Sequence, residues 1–531
     1  MCKDDVLLRK IIFLIVIFMI SIVILIARIF SISTNQSLNN NKDFYKLKIH
    51  GQRGMIYDCN NIPLVENENK IFVSVIPNKE NFVKIINNVS DDQRVRFVKK
   101  FKKNLPFICE VNKNIKYNNL KTFKIPIRSK KYNKSCHIVG YVSDENFGVS
   151  GIEKAFDDHL KSEDIEIWYQ RNAMGEIISK EKYDDNDQIY SNISGVKLCI
   201  DKKIQEIVEE ISKKYISKGA VLVSEVPNCE IRASVSLPVY SPDSIKDVLN
   251  SKDSNLINRI NYPYNLGSIF KLVTTIALIE NGMNDNVKYK CEGSFKFKDN
   301  SCIKCFNGVP HGEINLEDAI SQSCNSFFAK FSQQINGDYI INLAKRLGFG
   351  KSVELAPGII SHRGNLPSLE ELKDEKKISM LSFGQGSLMV TPIQVLGFIN
   401  TISSGGLYSK PKLVDSLINK DGSISKVYPS VLSRVLKSRI SKKLTKYMKT
   451  SIIKGTSRYG RPDGVEAGAK TSTAETGIIE DGVRVNQSWF AGFFPFESPK
   501  YCVVILAENV NSGGKVCGPV FKEIAEKLMC A

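Results

Sequence analysis

The longest apolar run of the chain lies near its N-terminus. Residues 11–27 carry no charged side chain, and Ile29 and Phe30 extend the run past Arg28. A helix needs about 20 such residues to cross a bilayer. Arg9 and Lys10 precede the run, and basic residues keep the segment that carries them in the cytoplasm. No small-residue cleavage site follows, so the pattern predicts an uncleaved anchor.

This anchor sets the expected topology of the whole chain. We predict a cytoplasmic tail at 1–10, a transmembrane helix at 11–30, and everything after it outside the membrane. The protein is therefore expected in the cell membrane as a single-pass protein, with its N-terminus cytoplasmic and its larger part extracytoplasmic.

Strand-like and helix-like patterns alternate from residue 195 to the end of the chain. An amphipathic helix, a strand hairpin, a buried strand and a terminal helix are predicted at residues 202–217, 219–236, 501–507 and 520–528, respectively. We therefore predict an α/β (α+β) domain over 195–531. Residues 31–194 show no nucleophile–base pair, metal-ligand spacing or glycine-rich phosphate loop, and we interpret them as a scaffold domain.

Composition narrows this picture only slightly. The chain has 531 residues, too many for one hydrophobic core. Its formal net charge is +18, but the basic residues form no single stripe and no nucleic-acid motif is present, so we expect no nucleic-acid partner. Most of the 13 cysteines are isolated along the chain, which is typical of buried thiols rather than a disulfide framework.

The strongest chemical signal lies at the start of a predicted buried helix, residues 272–281. Gly267 allows a tight turn before this helix, and Ser268 and Lys271 then share one face because they are three residues apart. A serine hydroxyl needs a neighbouring base to become a nucleophile. Lysine can be that base when burial lowers its pKa towards neutrality.

Two later motifs complete this signal. Ser323-Cys324-Asn325 and Lys470-Thr471-Ser472-Thr473 follow Ser268 and Lys271 in the order that characterises the penicillin-recognising serine acyltransferases. Ser323 can pass a proton between Lys271 and the leaving group. Asn325 can bind a substrate amide and help to fix the lysine.

The third motif offers the groups that a peptide substrate requires. Lys470 adds positive charge for a substrate carboxylate, beside the hydroxyls of Thr471 and Thr473. A strand edge there can pair with the substrate backbone. The backbone N–H groups of Ser268 and Thr473 would stabilise the oxyanion. No cofactor is required for this chemistry.

With these motifs the chain resembles the class B penicillin-binding proteins, which are monofunctional peptidoglycan D,D-transpeptidases. Residues 53–58 and 149–154 resemble the two motifs of the family's N-terminal domain, and 384–392 and 489–493 resemble segments around the third active-site element. The resemblance implies a penicillin-binding transpeptidase domain at 195–531 on a mostly β pedestal at 31–194. It implies peptidoglycan stem peptides as substrates, β-lactams as covalent inhibitors, and a membrane glycan polymerase as a partner. The cysteine usage favours the sporulation-type branch.

Two positions depart from the family pattern. Leu266 stands where proline is often found, and Ser472 replaces the glycine of Lys-Thr-Gly. A hydroxymethyl group at 472 is expected to narrow the approach of substrate to the strand. The alternative function is therefore a weakly active or inactive scaffold for the polymerase.

A second candidate site is a cluster of cysteines before Ser323. Cys291, Cys302, Cys305 and His311 have a spacing that suits tetrahedral zinc, and Cys324 is an alternative fourth ligand. The other interpretation is ordinary thiols, or a disulfide from Cys291 to Cys302 or Cys305. A zinc ion here would be structural.

Overall fold

The computed structural model describes most of the chain. The described residues are 3–34, 44–49, 51–113, 120–131, 134–162, 164–172, 174, 176–181, 193–249, 251, 253–284, 286–480 and 483–529. Residues 1–2 of the predicted cytoplasmic tail lie outside them.

Helices occur along the whole described chain. In chain order they are α1 (Lys3–Thr34), α2 (Lys79–Ile86), α3 (Asp91–Phe101), α4 (Cys136–Val139), α5 (Gly151–Ala155), α6 (Asp157–Leu160), α7 (Lys202–Tyr215), α8 (Ile245–Val248), α9 (Lys271–Glu280), α10 (Leu316–Ser321), α11 (Asn325–Ser332), α12 (Gly337–Arg346), α13 (Glu375–Ser382), α14 (Pro392–Ser403), α15 (Ser438–Lys454) and α16 (Gly513–Met529).

The two longest described strands are neighbours near the C-terminus. In chain order they are β1 (Phe44–Ile49), β2 (Met55–Tyr57), β3 (Asn67–Val75), β4 (Phe107–Val111), β5 (Lys121–Arg128), β6 (Ile165–Arg171), β7 (Ile177–Glu181), β8 (Gly195–Leu198), β9 (Gly219–Glu225), β10 (Glu230–Leu237), β11 (Tyr289–Cys291), β12 (Ser294–Lys296), β13 (Cys302–Lys304), β14 (Gly312–Ile314), β15 (Glu354–Ala356), β16 (Ile359–Ile360), β17 (Leu407–Ser409), β18 (Val414–Ile418), β19 (Ile424–Val427), β20 (Leu432–Arg434), β21 (Gly468–Glu480), β22 (Val483–Phe494) and β23 (Tyr501–Glu508).

The chain forms two compact units. The smaller consists of 1–51, 69–125 and 163–189, and the larger of 52–68, 126–162 and 190–531. The units do not follow the single cut predicted at 194, because two earlier segments pack with the C-terminal part. As a division into family domains, that boundary stays a prediction.

The smaller unit contains α1, two three-stranded sheets and the helices α2 and α3. Within the described residues, α1 is the one helix long and apolar enough to cross a membrane, over Leu7–Ser31, which fits the predicted anchor. Val73, Ile85, Phe97 and Phe107 form a core between a sheet and the two helices. The expected mostly β character of the pedestal is present here.

A five-stranded sheet organises the larger unit. Its order is β10-β9-β23-β22-β21, and each neighbouring pair is antiparallel. Successive residues of one strand enter different cores, since side chains alternate across a strand. Val503 packs in the core that contains residues of α7 and α16, whereas Val504 packs in the core that contains α9 and α14. Helices therefore cover both faces of the sheet.

Candidate active site

Ser268 lies in a 3₁₀ turn, Gly267–Phe270, that leads directly into α9. Gly267 has φ +62°, a left-handed conformation that favours glycine. Its N–H donates to the carbonyl of Gly384 at 3.0 Å. Ser268 is partly exposed, whereas Lys271 at the start of α9 is fully buried. The turn thus leaves Ser268 accessible to solvent and keeps the lysine in the interior.

The ammonium of Lys271 has three oxygen partners. Its Nζ donates to the carbonyl of Ser323 at 2.6 Å, to Ser323 Oγ at 3.0 Å and to Asn325 Oδ1 at 2.7 Å. Burial lowers the pKa of Lys271 to about 7, although the nearby thiols of Cys324 and Cys305 oppose this shift. A lysine with this pKa can release its proton near neutral pH, as a general base must.

Ser323 and Asn325 are presented by the junction between α10 and α11. Ser323 has φ +59°, and α11 begins at Asn325. The Cys324 thiol caps this helix by accepting from the N–H of Phe327 at 3.4 Å. The two flanking side chains therefore both reach Lys271.

Lys470, on the edge strand β21, reaches the same serine. Its Nζ donates to Ser323 Oγ at 3.0 Å and to the carbonyl of Thr471 at 2.9 Å. Burial, and then the charge of Lys271, hold the pKa of Lys470 well below its usual value. A substrate carboxylate would offset this loss of hydration and favour the charged form.

The threonines of the third motif have partners of their own. Thr471 Oγ1 donates to Thr456 Oγ1 at 2.9 Å, and Thr473 Oγ1 accepts from the N–H of Gly513 at 3.2 Å, where α16 begins. The structure thus brings Lys271, Ser323, Asn325 and Lys470 into direct contact. Thr471 and Thr473 lie on β21 with Lys470, and their hydroxyls bond to Thr456 and to the N-terminus of α16.

The side chain of Ser472 does not extend along the free edge of β21. Its Oγ donates to the carbonyl of Leu266 at 2.6 Å, and the residue is 3% exposed. The expectation that Ser472 narrows the substrate approach therefore does not fit the structure. Strand side chains stand perpendicular to the sheet, so this one leaves the hydrogen-bonding edge open.

The cysteine cluster has a different membership from the predicted one. The side-chain ligand atoms of Cys291, Cys305, His311 and Cys324 all lie within 4.8 Å of one another. Cys302 is exposed on β13 and lies outside this group. The predicted ligand set is corrected accordingly: Cys324, proposed as an alternative to His311, takes the place of Cys302. The reason is strand geometry, because β13 is a short hairpin strand with Cys302 on its exposed side.

The spacing of the three sulfurs suits tetrahedral zinc. Their Sγ–Sγ distances are 3.8 Å for Cys291–Cys305, 3.7 Å for Cys305–Cys324 and 3.5 Å for Cys324–Cys291. Ligands at about 2.3 Å from one metal in tetrahedral geometry are roughly 3.8 Å apart. A disulfide needs about 2.05 Å between sulfurs, and all four cysteines of this region are free thiols, so the disulfide interpretation does not hold in this structure.

The groups of the cluster share their protons unevenly. The hydrogen bond from Cys324 holds the pKa of Cys305 far below its usual value, whereas contacts with Cys305 raise the pKa of Cys324 and of His311, so a metal ion would displace the protons that these two groups retain. Thiolates are the form in which cysteine binds metals. The residues present therefore fit zinc.

Sequence reasoning missed several contacts around these sites. Ser326 Oγ lies 3.1 Å from Cys291 Sγ and 3.3 Å from Cys324 Sγ. The side-chain amide of Asn325 donates to the carbonyl of Lys304 at 3.0 Å, which links the cysteine loop to the active site. Gln487 Oε1 accepts from the N–H of Asn265 at 2.5 Å, just before the nucleophile turn. Only Ser326 carried a signal, since it lies two residues after Cys324.

A partly exposed serine at a helix start, a buried lysine three residues later and a second serine bridging two lysines define an active-serine acyltransferase of the penicillin-recognising class. Residues 219–526 match the family model described as the penicillin binding protein transpeptidase domain. The chain belongs to this family. The assignment confirms the resemblance to the class B penicillin-binding proteins that the motifs predicted.

Curated and solved relatives cover most of the chain. Stage V sporulation protein D of Bacillus subtilis (strain 168) is 25% identical over 527 residues, 90% of this chain and 78% of that protein. Peptidoglycan D,D-transpeptidase FtsI of Buchnera aphidicola is 25% identical over 463 residues, 84% of this chain and 77% of that protein. The complex of PBP2 and MreC from Helicobacter pylori has a chain with TM-score 0.69 and 21% identity, covering 92% of this chain and 98% of that one. The last comparison supports the fold.

Proposed function

We propose that the protein is a serine D,D-transpeptidase that cross-links peptidoglycan stem peptides through an acyl-enzyme on Ser268. The observation that carries the proposal is the pair of buried lysines, Lys271 and Lys470, that both donate to Ser323 Oγ at 3.0 Å. Membership in the transpeptidase family and the relative named as a peptidoglycan D,D-transpeptidase support the reaction class.

The first half-reaction forms the acyl-enzyme. Neutral Lys271 takes the proton of Ser268, whose oxygen bonds to the penultimate carbonyl carbon of a stem peptide ending in D-Ala-D-Ala. The N–H groups of Ser268 and Thr473 stabilise the oxyanion of the tetrahedral intermediate. The C–N bond then breaks, and the proton passes from Lys271 through Ser323 to the amine of the departing D-Ala.

The second half-reaction transfers the acyl group. An amine of a neighbouring stem peptide attacks the ester carbon, gives up a proton through the same lysine and serine, and releases Ser268. A β-lactam follows the first half-reaction alone, because its ring amide takes the place of the peptide bond. Its leaving amine stays attached, and the acyl-enzyme persists.

Substrate binding is assigned to the second and third motifs. Lys470, Thr471 and Thr473 would bind the terminal carboxylate and Asn325 a stem-peptide amide. In the described sheet β21 is paired only with β22, so an extended peptide can add to its other edge. The anchor α1 would hold this domain on the outer face of the cell membrane, next to a glycan polymerase. The relative named as a stage V sporulation protein favours a sporulation role.

The decisive experiment is intact-mass spectrometry after incubation with a fluorescent penicillin. The wild type should gain one adduct. The control variant Ser332→Ala, which changes a buried serine of α11 that belongs to none of the three motifs, should also gain one. Ser268→Ala should gain none. An adduct on Ser268→Ala would place the nucleophile elsewhere. A wild type without any adduct would favour the alternative of a polymerase scaffold, which the position of Ser472 does not support.

We further propose that Cys291, Cys305, His311 and Cys324 bind one structural zinc ion. The ion would fix the loop whose Lys304 carbonyl accepts from Asn325, and so help to hold an active-site amide in place. Metal binding by such a set is coupled to folding of the segment that carries it. Chelation should therefore lower both the melting temperature and the acylation rate, and zinc should restore them.

Two cysteine variants separate this site from loose thiols. Cys305→Ser should reduce bound zinc well below one equivalent in elemental analysis under reducing conditions. The matched variant Cys302→Ser should keep it, because Cys302 lies outside the cluster. Equal zinc loss in both variants would refute the site. A wild type that contains no zinc, and whose melting temperature does not change with chelator, would also refute it.

A further inference from the structure

The two positions that depart from the family pattern meet in the fold. Ser472 Oγ donates to the main-chain carbonyl of Leu266 at 2.6 Å. Ser472 lies on β21, two residues after Lys470, and Leu266 lies two residues before Ser268. One hydrogen bond therefore connects the strand of the third motif to the turn of the nucleophile.

The space for this hydrogen bond exists because residue 267 is glycine. A Cβ atom on Gly267 would lie 2.4 Å from Ser472 Oγ and 3.1 Å from the Cβ of Ala474. The serine hydroxyl thus packs directly against the backbone of the turn. A glycine at 472 would leave this space empty and would remove the hydrogen bond.

Other groups already hold the preceding part of the turn. Gln487 Oε1 accepts from the N–H of Asn265 at 2.5 Å, and Trp489 Nε1 donates to the carbonyl of Asn265 at 2.8 Å. Both side chains come from β22, the neighbour of β21. Ser472 extends this series of hydrogen bonds by one residue towards the nucleophile.

We propose that Ser472 is a positioning residue that fixes the Ser268 turn against the strand that carries Lys470. Its hydroxyl acts through the carbonyl of Leu266, two residues before the nucleophile. The proposal rests on the proposed acyl-transfer function, and it makes the serine a support for catalysis where the sequence alone suggested an obstruction. Small displacements of a nucleophile reduce rates strongly, because the attack geometry must match the oxyanion donors.

The expected effect is on chemistry rather than on binding. Removing a neutral hydrogen bond of this kind should lower the first-order acylation rate constant about three- to tenfold. The dissociation constant of the preceding noncovalent complex should change by less than about twofold, since the Ser472 side chain faces the turn and not the open edge of β21.

The test compares Ser472→Ala with Ser409→Ala in the full chain. Ser409 is also a buried strand serine whose Oγ donates to a main-chain carbonyl, that of Asn228, at 2.8 Å. Stopped-flow acylation over a range of fluorescent penicillin concentrations separates the rate constant from the dissociation constant. Both variants should lose similar thermal stability, but only Ser472→Ala should lose acylation rate. An unchanged rate constant in Ser472→Ala, or a faster one in Ser472→Gly, would overturn the proposal.

A second measurement does not depend on catalysis. Hydrogen exchange of the peptide covering residues 264–270 should be faster in Ser472→Ala than in the wild type and in Ser409→Ala. Equal exchange would overturn the positioning role. If the wild type forms no penicillin adduct and Ser472→Ala still exchanges faster than the wild type, the proposed reaction is refuted. The structural link between Ser472 and the turn would then stand.

Discussion

Two buried groups of charged side chains in the larger unit are built in opposite ways. The arginine cluster consists of Arg53, Arg128, Glu153 and Asp157. Both arginines bind the carboxylate of Glu153, which is fully buried, and Arg53 also lies 2.7 Å from Asp157 Oδ1. Here each buried positive charge faces a negative one.

The lysine cluster consists of Lys271, Lys470, Ser323 and Asn325. Its lysines are as buried as the arginines, yet their hydrogen bonds go to hydroxyl, amide and carbonyl oxygens. Neither lysine has a carboxylate partner in the part of the chain that the structure describes. Burial without an opposite charge lowers both lysine pKa values.

The difference between the two clusters separates a charge that stabilises the fold from a charge that takes part in the reaction. Arginine stays protonated in proteins, so it needs a permanent partner when buried. A general base must lose its proton during the reaction, and a carboxylate beside it would raise its pKa. The uncharged hydrogen-bond partners of Lys271 therefore suit a removable charge, and the carboxylate partners of Arg53 suit a fixed one.

The largest expected effect comes from removing the chemical charge. Lys271→Met should reduce the acylation rate about 10²–10⁴-fold, because a general base is lost. It should lower the free energy of unfolding far less than the rate, since an apolar side chain of similar length fills the same space, although three oxygen acceptors lose their donor. Stopped-flow acylation and denaturant unfolding measure the two effects.

The control variant is Lys330→Met, which changes an exposed lysine of α11 and should alter neither the acylation rate nor the stability. A rate within a few-fold of the wild type would exclude Lys271 as the base.

Breaking the structural charge should have the reverse outcome. Glu153→Gln removes the buried carboxylate that Arg53 and Arg128 share and should lower the free energy of unfolding by about 3–5 kcal/mol. The acylation rate of the folded fraction should stay as in the wild type. Asp463→Asn, which disrupts an exposed pair with Lys522, should lower the stability in urea unfolding far less, because solvent screens an exposed pair. Similar losses in both variants would mean that the arginine cluster contributes no more than a surface pair.

Local patterns predicted much of the fold. The hairpin of β9 and β10, the strand β23 and the helix α7 lie where hydrophobic spacing placed them. The terminal helix starts seven residues earlier than predicted, at Gly513. The run Gly513-Gly514 suggests a loop by composition, but a Cβ on Gly513 would lie 2.4 Å from the carbonyl oxygen of Ser472. That glycine is a packing requirement between helix and strand, which a single sequence does not reveal.

Motif order predicted that the members of the lysine cluster lie close together, but not how other side chains are directed. Ser472 was expected at the substrate edge, whereas the fold turns it towards Leu266. Cys302 was favoured by its spacing to Cys305, whereas the hairpin exposes it and the junction before α11 supplies Cys324. In both positions the direction depends on contacts with residues that are distant in sequence.

The smallest expected effect is a pH dependence that only the lysine cluster should show. The pKa of Lys271 is lowered to about 7 by burial, and the base is active when deprotonated, so acylation should rise with pH and level off above pH 7. Between pH 8 and pH 6 the rate should fall about tenfold, since the neutral fraction falls by that factor.

Stability should follow the same residue over a higher pH range. The folded-state pKa of Lys271 lies below its usual value of 10.5, so the unfolded chain binds the proton more strongly. The contribution of Lys271 to the free energy of unfolding therefore rises from about pH 7 to pH 10.5 and is at its lowest below pH 7. Lys271→Met should weaken this rise, because Lys470 keeps a lowered pKa of its own, and its residual acylation should lose the inflection near pH 7. Glu153→Gln should keep both the rise and the inflection. Acylation by the wild type that is constant between pH 6 and pH 8 would contradict the lowered pKa, and with it the contrast between the two clusters.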